Sequence, residues 1–155
     1  MGNDISDIKN FQSGIEKHYA GDVDSTEAWE ILSTNKDAIL VDVRTTPEWM
    51  FAGVPDLSSL NKEPIFISWR VFPEMGVNES FVKEVIAQRE IRKDCPILFL
   101  CKVGGRSLDA ALEMAKYGYT NCFNIAGGFE GDLDNSGQRG NKNGWKSCNL
   151  PWEQR

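Results

Sequence analysis

The sequence feature that most constrains the fold is an apolar run of strand character that ends at a cysteine. The run covers residues 96–100, Cys101 follows it, and a glycine-containing loop then leads into a helix rich in alanine and leucine. This order predicts a buried strand whose carboxyl end places the Cys101 thiol just ahead of a helix N-terminus. Free N–H groups and aligned peptide dipoles at that position favour negative charge. The stretch therefore predicts an anion-binding site that contains a thiol.

The residues around this thiol are those expected around a nucleophile. Lys102 and Arg106 lie within the same turn, and with the helix N-terminus they favour thiolate, the nucleophilic form of cysteine, over thiol. Gly104 and Gly105 permit a close backbone approach and unusual φ angles. We predict that Cys101 is the catalytic residue and that backbone N–H groups of the loop hold its negative charge. The residues predicted to bind an anionic substrate are Lys102, Val103, Gly104, Gly105, Arg106 and Ser107.

The loop resembles the active-site loop of the rhodanese sulfurtransferases, which commonly reads Cys-Arg-x-Gly-x-Arg-Ser. Lys102 stands where arginine is commoner and keeps the charge. Two further segments resemble family signatures in the expected order: Leu40-Val41-Asp42-Val43-Arg44 followed by Glu48 and Trp49, and Asn124-Ile125-Ala126-Gly127-Gly128-Phe129. The resemblance covers roughly residues 23 to 130, and the tail is similar to that of one bacterial group of single-domain members.

This resemblance implies a sulfurtransferase that works through a Cys101 persulfide. It would take a sulfane sulfur from thiosulfate or a persulfide donor and pass it to cyanide or a thiol in a two-step cycle. The implied partners are a small anionic sulfur donor, a thiol or cyanide acceptor and, in a sulfur relay, a partner protein. We expect neither a cofactor nor a metal.

Two other classes of function stay open on the sequence alone. Cysteine-dependent phosphatases also use a cysteine in an anion-binding loop, and one group shares the rhodanese fold, but their pattern has five residues between cysteine and arginine. Here four residues separate Cys101 from Arg106, so the loop should suit one sulfur better than a phosphate. The other alternative is a sulfur carrier or binding module that acts with a partner protein, because fold does not fix function.

Four residues outside the loop are candidates for a pocket wall or for support of the site. Asp42 and Arg44 lie at the carboxyl end of one predicted strand, and Trp69 and Arg70 lie at that of another, where ligands bind in open α/β folds. For Arg44 we favour an ion pair with Glu48 that holds the loop, because buried charges usually need partners. For Trp69, closing the edge of the core is an equal alternative.

The apolar runs predict five strands that alternate with helices. The predicted strands lie near Val23 and over residues 38–43, 65–69, 96–100 and 122–125. The predicted helices lie over residues 25–35, from Thr46, from Asn78 or Ser80 to about Arg92, and over residues 108–117. This alternation implies βαβ units with right-handed crossovers. We therefore expect an α/β, rhodanese-like three-layer fold with a central, mostly parallel five-stranded sheet and helices on both faces.

We expect one domain with an extension at each end. Residues 1–22 should form an N-terminal helical extension, residues 23–130 the rhodanese domain, and residues 131–155 a C-terminal tail packed on it. Trp145 and Trp152 should anchor that tail by burying their rings. The tail segment from Asp132 begins like an EF-hand calcium loop, but Asn143 stands where that loop needs glutamate. A turn rich in asparagine and glycine is the simpler interpretation.

Charge and composition limit the partners and the compartment. A net charge of -6 and a pI near 4.8, with no basic block, argue against nucleic acid as a partner. The sequence shows no signal-peptide pattern and no run of ~18 apolar residues, so we expect a cytoplasmic protein with no membrane partner. Its four cysteines should then be reduced, with Cys95 and Cys122 buried and structural. The role of Cys148 stays open, and His18 lies outside any motif.

Overall fold

A computed structural model describes residues 18–155 of the chain. In chain order its elements are β1 (Gly21–Val23), α1 (Ser25–Thr34), β2 (Ile39–Asp42), α2 (Thr46–Phe51), β3 (Val54–Pro55), a 3-10 turn (Ser58–Leu60), β4 (Ile65–Phe66), β5 (Arg70–Val71), β6 (Gly76–Val77), α3 (Phe81–Gln88), β7 (Ile97–Leu100), α4 (Gly105–Ala115), β8 (Cys122–Ile125) and β9 (Trp152–Glu153). Five strands form the central sheet in the order β1-β8-β7-β2-β4, and all its pairings are parallel. The predicted α/β fold with a parallel five-stranded sheet is confirmed.

The central strands bury both of their faces. Every residue of β2 and β7 is buried, as expected for continuous apolar runs in a covered parallel sheet. Successive side chains alternate between two cores: Val41 and Phe99 face the core beside α3 and α4, while Leu40 and Leu98 face the core beside α1. The sheet is thus the middle of three layers.

Helix α1 follows the prediction closely. Asp24 accepts a hydrogen bond from the Glu27 N–H at 2.8 Å, and the Glu27 carboxylate accepts one from the Asp24 N–H at 2.8 Å. This reciprocal pair is a capping box. The helix ends at Thr34, because Asn35 has an extended backbone.

Helix α3 and strand β4 are shorter than predicted. The helix begins after Ser80 and ends at Gln88 rather than near Arg92, because Arg89 is extended at φ -165° and ψ 166°. Strand β4 covers two residues and stops before Trp69. The chain beyond it keeps only separate backbone bonds to the end of β2, such as the one from the Trp69 N–H to the Val43 carbonyl.

Helix α4 begins earlier than predicted, and this changes the site. Gly104 has a φ of +124°, a conformation that glycine adopts readily, and the helix starts at Gly105 instead of after Ser107. Arg106 and Ser107 therefore belong to its first turn. The helix buries one stripe of its surface. The buried residues are Ser107, Ala110, Ala111 and Met114.

The C-terminal segment covers one face of the sheet together with α1. Trp145 is fully buried, meets the Trp29 ring edge to face at 5.9 Å between centroids, and donates its Nε1–H to the Pro151 carbonyl at 2.8 Å. Trp152 is 39% exposed and packs edge to face on Phe129. Strand β9 pairs antiparallel with β3. The two tryptophans thus differ, since one is core and the other lies at the surface.

Three remaining sequence features concern the tail, the N-terminus and the membrane. Asp134 accepts hydrogen bonds from the N–H groups of Ser136 and Gln138 and from the side chain of Asn141. These bonds are those of a turn. Within residues 18–155 there is no group of three or more side chains that could hold a metal ion. The predicted N-terminal helical extension covers residues 1–22. Residues 1–17 lie outside the described residues, residues 18–20 are not helical, and β1 begins at Gly21. His18 is exposed. None of the described helices is long and apolar enough to cross a membrane.

Candidate active site

Cys101 immediately follows β7 and lies beneath the loop rather than at its rim. Its side chain is 1% exposed and belongs to the core beside α3 and α4. The Gly104 N–H donates to its Sγ at 3.1 Å, and the Ser107 Oγ lies 3.1 Å from the same atom. Among the described residues these are its side-chain hydrogen bonds. The predicted convergence of several loop amides on the sulfur is therefore reduced to one amide and one hydroxyl.

The turn after β8 holds this loop in place. The Phe129 N–H donates to the Cys101 carbonyl at 2.8 Å, and the next two N–H groups along the chain each donate to the Lys102 carbonyl at 3.1 Å. Gly128 has a φ of +60°, and a Cβ at this position would overlap both carbonyl groups. The turn can approach so closely only because Gly128 has no side chain.

Arg106 is held by a carboxylate from α2. Its Nη1 and Nη2 donate to Glu48 Oε1 and Oε2 at 2.8 and 3.0 Å, a bidentate geometry that fixes the guanidinium plane. Burial opposes ionisation of Glu48, but the hydrogen bonds and charge of Arg106 and the bonds from Thr45 outweigh it and lower the pKa of Glu48 to about 2. The Arg106 pKa is raised by the same pair. The guanidinium of Arg106 is therefore held in one orientation by Glu48.

The predicted pairing of Arg44 with Glu48 is wrong. Arg44 instead pairs with Asp42, through Nε to Oδ1 at 3.0 Å and Nη2 to Oδ2 at 2.7 Å, and both side chains are 0% exposed. Its Nη2 also donates to the Gly53 carbonyl, and its guanidinium stacks 4.2 Å from the Phe129 ring centroid. Because α2 begins between Arg44 and Glu48, the two side chains point to different partners. The Asp42–Arg44 pair supports the sheet edge beneath the site.

The contacts of Trp69 and Arg70 are with neighbouring residues of the core and of a hairpin. Trp69 is 8% exposed and meets Phe81 edge to face at 5.3 Å, so the core interpretation holds. Arg70 donates to the Met75 carbonyl inside the β5–β6 hairpin. A cavity of about 470 Å³ does touch Trp69, but its other walls are β6, α3 and α4 and include no residue of the loop from 101 to 107.

Lys102 and Val103 remain at the surface of the loop. Lys102 is half-buried, and none of the ion pairs found within residues 18–155 includes it. Val103 is 39% exposed. Arg106 is paired with Glu48, so Lys102 is the cation of this loop that has no ion-pair partner among residues 18–155.

Sequence reasoning missed the hydrogen-bond partners of Ser107. Its hydroxyl donates to Asn124 Oδ1 at 2.6 Å, and Asn124 Nδ2 donates to Asp22 Oδ1 at 3.1 Å. Asn124 is 4% exposed in β8. The available signal was a polar residue between Phe123 and Ile125 in an otherwise apolar strand, which indicates a satisfied buried amide.

The other cysteines differ from Cys101 in their surroundings. All four cysteines are free, and Cys95 and Cys122 are buried. Burial raises the pKa of the Cys122 thiol to about 12, so it is inert at neutral pH. Cys148 is exposed. Cys101 is thus the cysteine that adjoins both a helix N-terminus and a fixed arginine.

The parallel sheet, the cysteine after its central strand and the glycine turn against its loop define a rhodanese-like α/β domain. The family model described as STR4 middle domain matches residues 20–155. The chain belongs to this family.

The chain is also similar to individual proteins. Uncharacterized protein RC0915 of Rickettsia conorii is 40% identical over 83% of this chain and 94% of its own length. The crystal structure of Rv0390 from M. tuberculosis is 44% identical, covers 88% of this chain and 99% of that one, and superimposes with a TM-score of 0.80. A protein named Sulfurtransferase from Allochromatium vinosum is 27% identical over 69% of this chain and 82% of its own length.

Proposed function

We propose that this protein is a sulfurtransferase that carries a sulfane sulfur on Cys101. The main support is the position of the Cys101 Sγ, which follows a central strand, accepts the Gly104 N–H at 3.1 Å and lies before the first turn of α4. The Arg106 guanidinium, fixed by Glu48, adds positive charge beside it. The similarity to the Allochromatium vinosum sulfurtransferase is consistent with this chemistry.

The reaction consists of two displacements at sulfur. In the first, the Cys101 thiolate attacks the outer sulfur of thiosulfate, a new S–S bond forms, and sulfite leaves with the electron pair of the broken S–S bond. A persulfide donor reacts in the same way and leaves as a thiolate. In the second, cyanide or an acceptor thiolate attacks the outer sulfur of the persulfide and releases the Cys101 thiolate. No net oxidant is needed, and the scheme is nucleophilic catalysis by cysteine.

The loop supplies charge stabilisation for the persulfide. The first N–H groups of a helix have no acceptor within the helix, so those of Gly105, Arg106 and Ser107 remain for the outer sulfur. Lys102 attracts the anionic donor, as a cation without a protein partner in the described ion pairs. Because the Cys101 side chain is 1% exposed, the donor must present a projecting terminal sulfur, as thiosulfate and persulfides do.

Intact-protein mass spectrometry after incubation with thiosulfate tests the proposal. We expect a gain of one sulfur atom in the wild type and in Cys148→Ser, a matched control at an exposed thiol, and no gain in Cys101→Ser. Thiocyanate should then form when cyanide is added. Sulfur uptake by Cys101→Ser would contradict the assignment.

The same samples separate the alternatives. Uptake of sulfur without transfer to cyanide, but with transfer to a protein thiol, would identify a carrier that needs a partner. Hydrolysis of an aryl phosphate that depends on Cys101 would favour a phosphatase instead.

A further inference from the structure

A chain of hydrogen bonds, the Cys101 relay, runs from the proposed nucleophile to the first strand. It passes from Cys101 Sγ to Ser107 Oγ at 3.1 Å, and from there to Asn124 Oδ1 at 2.6 Å. Asn124 Nδ2 continues it to Asp22 Oδ1 at 3.1 Å, and the Tyr19 hydroxyl donates to the same oxygen at 2.8 Å. Cys101 follows β7, and the other four residues come from α4, β8, β1 and the segment before β1. The relay therefore forms only when these elements pack together.

Which group donates and which accepts in each hydrogen bond of the relay follows from Asp22, the residue at its far end. An ionised carboxylate only accepts hydrogen bonds, so the Asn124 amide must turn its NH₂ group to Asp22 and its Oδ1 to Ser107. An amide oxygen also only accepts, so the Ser107 hydroxyl proton points to Asn124. Toward the sulfur, Ser107 Oγ is then an acceptor, and the matching donor is the S–H group of a Cys101 thiol.

Tyr19 supports the same direction. Partial burial, the hydrogen bond to Asp22 and the charge of Asp22 raise the pKa of Tyr19 to about 12. Its hydroxyl therefore stays protonated over the whole working range of pH and donates to Asp22. The carboxylate end of the relay is held by two donors, one from Tyr19 and one from Asn124.

We infer that Asn124, oriented by Asp22, is a positioning residue that turns the Ser107 hydroxyl away from the sulfur and so favours the Cys101 thiol over the thiolate. The inference rests on the proposed role of Cys101 as nucleophile. When Cys101 ionises, the Gly104 N–H still donates to it, but the Ser107 hydroxyl can donate only after leaving Asn124. A hydrogen bond to an ionised sulfur is stronger than one to a neutral amide, so turning of the hydroxyl accompanies formation of the reactive anion.

The fixed charges around the site do not change in this step. The charged groups around the site include Lys102, which follows Cys101 in the chain, the pairs Glu48–Arg106 and Asp42–Arg44, and, beyond Asn124, Asp22. A neutral substitution at Asn124 alters none of them. It removes the acceptor of the Ser107 hydroxyl and one of the two donors to Asp22.

The test is the pH dependence of Cys101 alkylation by iodoacetamide, measured by mass spectrometry of the modified peptide. In Asn124→Leu, which keeps the volume but removes the acceptor, the hydroxyl is free to donate to the thiolate. We expect the midpoint of the pH profile to fall by about one pH unit. In Asn124→Asp, which keeps an acceptor and adds charge, the midpoint should not fall.

Two background variants show whether the effect passes through Ser107. In Ser107→Ala, the further change Asn124→Leu should leave the midpoint where it was. Asn121→Ala, at an amide that bonds to the Asp94 carbonyl instead, should match the wild type, and the exposed Cys148 serves as an internal reference in every sample. An unshifted midpoint in Asn124→Leu, or an equal shift without Ser107, would overturn the inference.

A second route covers the case in which Asn124→Leu fails to fold. Asp22 is exposed, and Asp22→Asn lets the Asn124 amide turn its NH₂ group toward Ser107. The midpoint of the pH profile of Cys101 alkylation should then fall. The fall should be smaller when Ser107 is replaced by alanine. Equal falls in both backgrounds would contradict the relay. Alkylation needs no sulfur donor, so sulfur uptake measured on the same variants is a separate result: loss of uptake with the pH shift intact would reject the sulfurtransferase and keep the relay.

Discussion

The two arginine–carboxylate pairs near the site have the same chemistry and different surroundings. The Asp42–Arg44 pair has both side chains 0% exposed, whereas the Glu48–Arg106 pair is 21% and 19% exposed. Both are bidentate. The first joins two residues of one strand end, while the second joins α2 to α4 across 58 positions of sequence.

This difference assigns the pairs different tasks. A buried pair gains little net stability over apolar residues but becomes very costly when one partner is removed. The Asp42–Arg44 pair therefore fixes the sheet edge on which the site is built. The half-buried Glu48–Arg106 pair can be altered at a smaller cost, and its main consequence is the orientation of a cation beside Cys101.

Removing Arg44 should have the largest effect on stability. In Arg44→Leu the Asp42 carboxylate stays buried without its guanidinium, and we expect the free energy of unfolding to fall by about 3–5 kcal/mol. Urea denaturation at neutral pH measures this. In the double variant Asp42→Leu with Arg44→Leu no charge is left alone, so the loss should be smaller. A double variant less stable than Arg44→Leu would contradict the distinction.

Removing the charge of Glu48 should affect activity more than stability. In Glu48→Gln we expect about a tenfold slower persulfide formation, because Arg106 loses its bidentate anchor and its defined position. The free energy of unfolding should fall by about 1–2 kcal/mol. Arg106→Lys is the matched variant, since it keeps the positive charge but cannot make two parallel hydrogen bonds to the carboxylate. Normal rates in both would show that orientation of Arg106 is unimportant.

Acid should remove the contribution of the Glu48–Arg106 pair. The pKa of Glu48 is lowered from 4.5 to about 2 in the folded protein, so its contribution is complete above the unfolded value and is lost as the pH falls toward 2. After allowing for solvent at a partly exposed pair, about 2 kcal/mol is the upper range. The difference in unfolding free energy between wild type and Glu48→Gln should therefore shrink between pH 5 and pH 2. A constant difference would contradict the assigned pKa.

The fold and the position of Cys101 were predictable because their signals are contiguous in the chain. Apolar runs define β2 and β7, and the order of strand, cysteine, glycine loop and helix fixes Cys101 at the end of β7. Helix ends were less predictable. The end of α3 at Arg89 and the beginning of α4 after Gly104 depend on backbone conformations. No pattern of side chains in the sequence indicates them.

Side-chain partners were the part that sequence did not determine. Arg44 and Glu48 are four residues apart, so pairing them was reasonable, yet Thr45 caps α2 between them and sends the carboxylate toward Arg106. The bond from Ser107 to Asn124 joins residues that meet only when β8 lies beside β7. Such partners follow from the assembled sheet, not from local spacing.

The weakest effect belongs to an ion pair far from both others. Arg92 bonds to Asp37 at 3.0 Å and to Asp94 at 3.1 Å, but its side chain is 61% exposed. Ion pairs in contact with water are screened and lose side-chain entropy, so many contribute nothing measurable. Arg92→Gln should therefore leave the urea midpoint, the rate of sulfur uptake and the pH profile of Cys101 alkylation unchanged. A clear loss of stability in this variant would mean that exposure does not rank the three pairs, and the contrast between Arg44 and Arg106 would then need another cause.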